Sequence, residues 1–359
     1  MSTEAGTSQS NKRSVDHVTD AQPCPKRGKV ASDVRAVVSF ANAVAVNSFL
    51  RRCATIATDV VLTFFASTND VPECAAQAAS TVAGDDEEDG AAGCMFANVP
   101  DTTMSCMVVS KLACDVSLQD GEDRCVVCVP LTHLRTCLAS IGADLRVEFK
   151  VMTSGDMCVC ASENVPEGHV GTSTYRRTAT FRTLVADCIE YNLHDMMYQF
   201  TLVMRKQDVA GLAKCASKLG ADTIRFDLRT APDREASGET GAGWKMLSIH
   251  FQGDMAQTTD SFMMYQSSDT SEAIVVETDD ALDQAPLRAP PASDSDVWKN
   301  EYSDSFSAAT LSKFVGAMDN DSITLRLSPD KPLVMTAPLG EPSSWTCFVL
   351  ASRDEDDEA

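Results

Sequence analysis

The chemistry this sequence is best equipped for is carried by six basic side chains. Arg51 and Arg52, Arg135, Lys214 and Lys218, and Lys313 fall in four short stretches that are otherwise mostly small or apolar and hold few acidic residues. Lys and Arg in such a setting neutralise phosphates, which gives backbone contact to a nucleic acid without reading of its bases. Lys214 and Lys218 are four positions apart and so share one side of a helix. Asp208, the acidic exception, opens its stretch, where it suits a helix N-terminus. A plain solvated helix face is the competing reading for any one of these residues. Recurrence in four places favours the phosphate reading.

Other chemistries are poorly supported. His133, His169, His194 and His250 have no nucleophile elbow, metal-binding His pair or phosphate-loop glycine pattern around them. Gly241 and Gly243 form a short GAG, with no GxGxxG leading from a strand into a helix. The closest cysteine spacings, Cys125/Cys128 and Cys158/Cys160, lack a second Cys or His pair at zinc-finger distance. With no apolar secretory segment at the start, the 14 cysteines read as reduced thiols, small and suited to packing on one face of a strand. The expectation is a protein with no enzymatic activity, no metal and no cofactor.

The formal net charge is −22, which on its own argues against a phosphate binder. Part of the charge is concentrated in Asp85–Asp89 (DDEED) and Asp354–Glu358 (DEDDE). What matters is therefore where the cations sit, and a strongly acidic chain that keeps four stretches basic has segregated its charge. Residues 1–33 are polar and aperiodic, which predicts a disordered extension. Lys12 and Arg13 precede Lys26, Arg27 and Lys29 in the spacing of a bipartite nuclear signal, so a nuclear location is expected, against the alternative of a generic basic tail. No apolar run is long enough for a membrane span.

The elements that must position the cations follow from periodicity. From residue 34 one unit recurs four times: a β-rich run, a short amphipathic helix, a second β-rich run. The helices are expected around Val46–Ala57, Leu131–Ile141, Asp208–Leu219 and Ala308–Met318. Each has one apolar stripe, for example Val209, Leu212, Ala213, Ala216 and Leu219, so each should lie on a sheet with its basic side free. Gly142 and Gly220 follow the second and third helices and are expected as left-handed caps. Many strands with few short helices predict an α+β fold. The units pair into two similar domains, residues 34–176 with an acidic loop insertion at 68–93, and residues 198–353. A connector at 177–197 joins them, and residues 354–359 form an acidic tail.

Five segments in order resemble the DNA sliding clamps of the proliferating-cell-nuclear-antigen (PCNA) family. Tyr198–Leu228 is similar to the strand–helix–strand that opens the clamp's second domain. Glu239–Leu247 resembles its Gly-rich turn and edge strand, and Ser322–Met335 the segment ending in Pro-Leu-Val. Val349–Glu358 resembles the last strand and acidic tail, and Asp101–Val109 one wall of the partner pocket. The resemblance implies the DNA clamp (processivity) fold: two domains per chain, three chains closed into a ring, helices lining the hole and sheets outside. It implies a polymerase processivity factor that encircles duplex DNA and also serves repair proteins. Its partners would be a DNA polymerase, other clamp-binding-motif proteins, a clamp-loader ATPase and further copies of itself. By the same resemblance the partner pocket would be formed by Met104, Met107, Leu184, Val185, Pro332, Val349 and Ala351. The subunit edges would be Tyr175–Phe181 and Trp244–His250, with Met246 on the second. The insertion at 68–93, the N-terminal extension and a weakly matching first helix fit a divergent member such as a viral one. A heterotrimeric checkpoint-clamp subunit and a monomeric or dimeric herpesvirus-like processivity factor would share these features, and stay open as alternatives.

Overall fold

The computed structural model describes residues 33–41, 43–67, 71, 93–119, 121–139, 141–142, 145–163, 176–184, 198–230, 243–253, 256–266, 274–275 and 299–353. The nuclear-signal residues, the acidic insertion apart from Val71 and Gly93, Tyr175, Val185 and the acidic tail lie outside them.

The first half runs β1 (Val34–Phe40), α1 (Ala43–Cys53), β2 (Asp59–Phe65), β3 (Gly93–Pro100), β4 (Cys106–Leu118), β5 (Arg124–Pro130), α2 (Leu131–Ala139), β6 (Arg146–Met152), β7 (Asp156–Ser162) and β8 (Arg176–Arg182). The second runs β9 (Phe200–Arg205), α3 (Lys206–Leu219), β10 (Thr223–Thr230), β11 (Gly243–Gln252), β12 (Gln257–Gln266), β13 (Ile274–Val275), β14 (Lys299–Ser307), α4 (Ala308–Ala317), β15 (Ser322–Leu327), β16 (Leu333–Leu339) and β17 (Glu341–Leu350). The α+β expectation holds, and each of the four helices is flanked by strands as the repeat predicts.

The strands form one large sheet, β13-β9-β15-β16-β17-β4-β1-β6-β7-β8 with β3, β2 and β5 branching from β4, and a four-stranded sheet, β12-β11-β10-β14. Strand β4 makes the large sheet possible. Its first part, Cys106–Lys111, pairs with β17 on one side while Met107–Cys114 pairs with β3 on the other; its last part, Asp115–Leu118, pairs with β1. One strand thus carries hydrogen bonds from both halves of the chain.

Strand alternation sets the layers. In β6, Val147, Phe149 and Val151 are buried while Arg146, Glu148 and Lys150 stay toward solvent. The inward set meets the apolar stripes of the helices, including Phe49 and Leu50 of α1, Leu134 and Leu138 of α2, Leu212 of α3 and Phe314 of α4. β3 and the start of β4 are buried on both faces. On their outer side a second cluster forms around Phe65, Phe96, Met107, Val349 and Trp345, with Tyr198 packed against it.

The helices pack in a row. α2 contacts α1, α1 contacts α4, and α4 contacts α3. Gly220 ends α3 with φ 68° and donates to Ala216 and Ser217, the expected left-handed cap. Gly142 does not adopt a positive φ, so the shared Gly-Ala-Asp text does not give a shared cap. α1 begins at Ala43 and ends at Cys53, shifted toward the N-terminus from the expected Val46–Ala57, because Ala54–Ile56 close in tight turns instead of continuing the helix. Residues 177–182, placed in the connector on sequence grounds, belong to β8 and hydrogen-bond to β7.

Candidate nucleic-acid face and partner pocket

Four of the six basic residues expected on the free helix faces are exposed there: Arg135 on α2, Lys214 and Lys218 on α3, and Lys313 on α4. They sit opposite the buried stripes, so the amphipathic reading located them correctly. Between α1 and α2 a shallow groove of about 680 Å³ has Arg135 on one wall, Arg51 on the other, and Val44 at its edge.

The remaining two require correction. Arg52 is 1% exposed and has no route to a phosphate. Its guanidinium Nη1 donates to the Ala337 carbonyl at 3.2 Å, and Nη2 donates to the Pro338 carbonyl at 3.0 Å and to Asn320 Oδ1 at 2.9 Å. Arg52 joins α1 of the first half to β16 and the turn after α4 in the second. Burial lowers its pKa to about 10, so the charge persists at neutral pH. Arg51 is half-exposed but committed: it pairs with Asp319 and donates to the Ala317 carbonyl at 3.1 Å. Ser48 Oγ donates to the same Asp319 carboxylate at 2.7 Å. The sequence reading assigned both arginines by type and spacing. The partners that turned them inward, Asn320 and Asp319, lie more than 260 positions away along the chain, and nothing local announced them.

The Arg51 hydrogen bond holds the Asp319 carboxyl down at about 2, from an ordinary 3.8. A carboxyl depressed in the fold contributes stability above its unfolded pKa and loses it as pH falls through the folded value. The cross-domain latch should therefore loosen between pH 3.8 and about 2. Asp319→Asn should flatten that part of a stability-versus-pH curve measured by urea denaturation. An unchanged curve would contradict this assignment.

On the opposite side of the molecule, five of the seven pocket residues converge. Met104, Met107, Pro332, Val349 and Ala351 line a cavity of about 600 Å³, with Pro100 completing the apolar wall. The polar part is formed by Ser303, Asp304, Asp330 and Lys331. Three local structures hold its shape. The first is the turn from Asp101 to Cys106. Asp101 accepts from Thr103 Oγ1 at 2.5 Å, Ser105 Oγ at 2.9 Å and the Cys106 amide at 3.1 Å. Burial alone would raise the Asp101 carboxyl, but these hydrogen bonds outweigh it and hold the group below its ordinary range. The same turn presents Met104 at φ 59° and 53% exposed, a conformation uncommon outside glycine. The second is the chain after β17: the Ala351 amide donates to Ser105 at 2.9 Å and the Arg353 amide to Ser305 at 2.8 Å. The third is Tyr198, whose hydroxyl donates to the Pro332 carbonyl at 3.1 Å and whose phenol is pushed up by burial.

Leu184 is not part of this cavity. Its amide donates to the Cys128 carbonyl at 2.8 Å, which fastens it beside β5, 46% exposed. Asp304 and Asp330 were not anticipated as pocket residues, and nothing in their neighbourhoods singled them out. Asp101 did carry a signal: Asp followed by Thr-Thr and, four residues on, Ser is the composition of a side-chain-capped turn.

The edges also differ from expectation. β8 is the last strand of its path, as anticipated for the segment ending at Phe181. Phe181 is half-buried against the main core. β11, which contains Trp244 and Met246, is interior: it pairs with β10 through Thr230↔Lys245 and with β12 through Gly243↔Gln266. Met246 is 8% exposed. The end strands of that sheet are β12 and β14, and β14 accepts at Ser305 from the Arg353 amide. The polar alternation QTTDSF of β12 is what an exposed edge tolerates, whereas WKMLSIHF of β11 is not.

A row of helices on one face of two sheet-bearing halves, with a pocket on the side away from the helices, is the architecture of the DNA clamp fold. The solved structures agree. The chain is similar to the Proliferating Cellular Nuclear Antigen from Entamoeba histolytica at 13% identity and TM-score 0.56, over 89% of this chain and 100% of that one. It is similar to a chain of the PCNA2–PCNA3 complex from Sulfolobus tokodaii at 14% identity and TM-score 0.52, over 88% of this chain and 99% of that one. The protein has the PCNA-type clamp fold. No family model matches the sequence, and no curated protein matches it.

Proposed function

We propose that this chain is a non-enzymatic sliding clamp, a DNA polymerase processivity factor that acts by encircling duplex DNA. The observation that carries the reading is charge placement. A chain of net charge −22 keeps Arg135, Lys214, Lys218 and Lys313 exposed along one row of four helices. Loose phosphate contacts of this kind are salt-sensitive and sequence-independent, so they allow sliding. The ring would close between chains through β8 of one copy and β12 of the next, a head-to-tail contact that closes on itself. Clamp-binding motifs of a polymerase or repair protein would seat in the pocket at Met104, Met107, Pro332, Val349 and Ala351. The clamp would convert repeated rebinding of such partners into tethered action. A loader ATPase follows from topology, since a closed ring cannot thread onto circular DNA unaided. The basic pairs at Lys12–Arg13 and Lys26–Lys29 would direct the chain to the nucleus.

Retention on DNA tests the topological reading. The clamp should remain on nicked circular DNA and run off linear DNA of the same length, and equal loss from both would refute encirclement. Met104→Asp tests the pocket. Met104 is exposed, so folding should be unaffected, while affinity for a clamp-binding-motif peptide should fall about tenfold or more. Similarity to a chain of the PCNA2–PCNA3 complex supports one other reading, a ring of unlike chains. Light scattering over a range of concentrations separates the two: a mass of three chains supports the self-closing ring, and a stable single chain or pair supports the mixed one.

A further inference from the structure

The sequence singled out Cys158 and Cys160 as a close pair without metal-site company, and the structure gives them a role that the clamp reading does not use. Both lie on β7, two positions apart, and so share the face turned away from the main core; Met157, Val159 and Ala161 take the other. Their Sγ atoms are 3.8 Å apart. On one side stand Glu148 and Lys150 of β6, paired to each other at 2.9 Å and directly opposite Cys160 and Cys158. On the other stand Thr178 and Thr180 of β8, both exposed. Cys158 is half-exposed, which gives the pair an opening to solvent.

The spacing is that of a chelate. Two thiolates bound to one ion at about 2.3 Å stand at most about 4.6 Å apart, so sulfurs 3.8 Å apart can share one ion in a bent two-coordinate arrangement without backbone movement. A disulfide fits less well. Two residues of an extended strand put the Cα atoms about 6.7 Å apart, at the long end of the range for a disulfide. No third His, Cys, Asp or Glu converges on the pair among the described residues. The ions selected are those satisfied by two thiolates, and soft sulfur ligands select Cu(I) among the common ones. The Cys125/Cys128 pair makes a useful contrast: three positions apart on β5, the two point to opposite faces, and Cys125 is buried in the main core.

We propose that Cys158 and Cys160 form a two-sulfur site for a soft, thiophilic metal ion of the Cu(I) type, on the outer face of the sheet one strand in from the edge β8. The site does not depend on the clamp reading. It does place a bound ion against Thr178 and Thr180, so occupancy would be felt at that edge.

Two experiments on the reduced full chain test it. Cu(I) is supplied as its bathocuproine disulfonate complex, and transfer is read from the loss of the complex's colour. Wild type should withdraw one equivalent more than Cys158→Ser or Cys160→Ser. Each single variant should lose the whole equivalent, because one sulfur does not hold the ion against the competitor; Cys125→Ser should match wild type. Equal uptake by wild type and the two site variants overturns the proposal. The second experiment needs no variant. Phenylarsine oxide reacts with two thiols to form two As–S bonds, its oxygen leaving as water with both thiol protons. After one equivalent, excess N-ethylmaleimide should label the other accessible cysteines and spare the half-exposed Cys158, which it labels in the untreated chain. Sparing of a different pair instead overturns the assignment.

Discussion

Arg52→Ala should destabilise the folded chain by about 3 kcal/mol, the largest effect expected of any basic residue on the helices. That magnitude starts from three hydrogen bonds donated by a charged group, each worth about 1.5–3 kcal/mol, discounted for the burial cost that removal relieves. The burial cost is visible in the lowering of the Arg52 pKa to about 10. Truncation leaves the carbonyls of Ala337 and Pro338 and the Asn320 side chain without their donor. Arg52→Lys should recover only about half the loss, since an ammonium on a flexible stem cannot fork across three acceptors. Arg135→Ala, on an exposed face, should change stability by less than about 0.5 kcal/mol. Urea denaturation of the three variants checks this ordering. A cost for Arg52→Ala below about 1 kcal/mol would mean that the clasp does not hold the two halves together.

The second large effect concerns DNA. Reversing Arg135, Lys214 and Lys218 to Glu should flatten the dependence of log affinity on log salt by up to about 3 per chain, close to one for each phosphate no longer neutralised. Retention on circular DNA at low salt should drop with it. The fold should be unaffected, because all three side chains are exposed. Arg52→Ala should leave the salt slope where it was, since a buried guanidinium releases no counterions. If Arg52→Ala flattens the slope and the triple reversal does not, the basic helix face is not the DNA-contacting surface.

The contrast between these two sets of arginines and lysines shows how far the sequence could be read. Lys214 and Lys218 were legible because their exposure follows from a local rule: the apolar stripe Val209, Leu212, Ala213, Ala216 fixes which side of α3 is buried. Arg52 carries the same local signature as Arg51, yet its fate is decided by carbonyls and an amide contributed from positions 320, 337 and 338. Edge strands divide the same way. The β-rich character of Trp244–His250 was plain, but whether a strand is an edge depends on what pairs with it, and β12 supplied the second neighbour. Met104, Met107, Pro332, Val349 and Ala351, grouped through a resemblance that preserves chain order, do line one cavity. Leu184 was assigned by the same order and failed because Cys128 captures its backbone. The caps repeat the lesson on a smaller scale: Gly220 and Gly142 share their neighbours in sequence, but only Gly220 turns left-handed.

Strand β4 has a mechanical consequence. Its thirteen residues hydrogen-bond to β17 from the second half and to β3 and β1 from the first. The Arg52 clasp ties the same two halves on the helix side, so bending the chain about either attachment stretches the other. Among the described residues the two halves are therefore tied at two separate places, which should resist bending between them. If the proposed ring forms, strain would gather at the proposed seams between β8 of one chain and β12 of the next. A loader opening such a ring would then be expected to meet less resistance at those seams than within a chain.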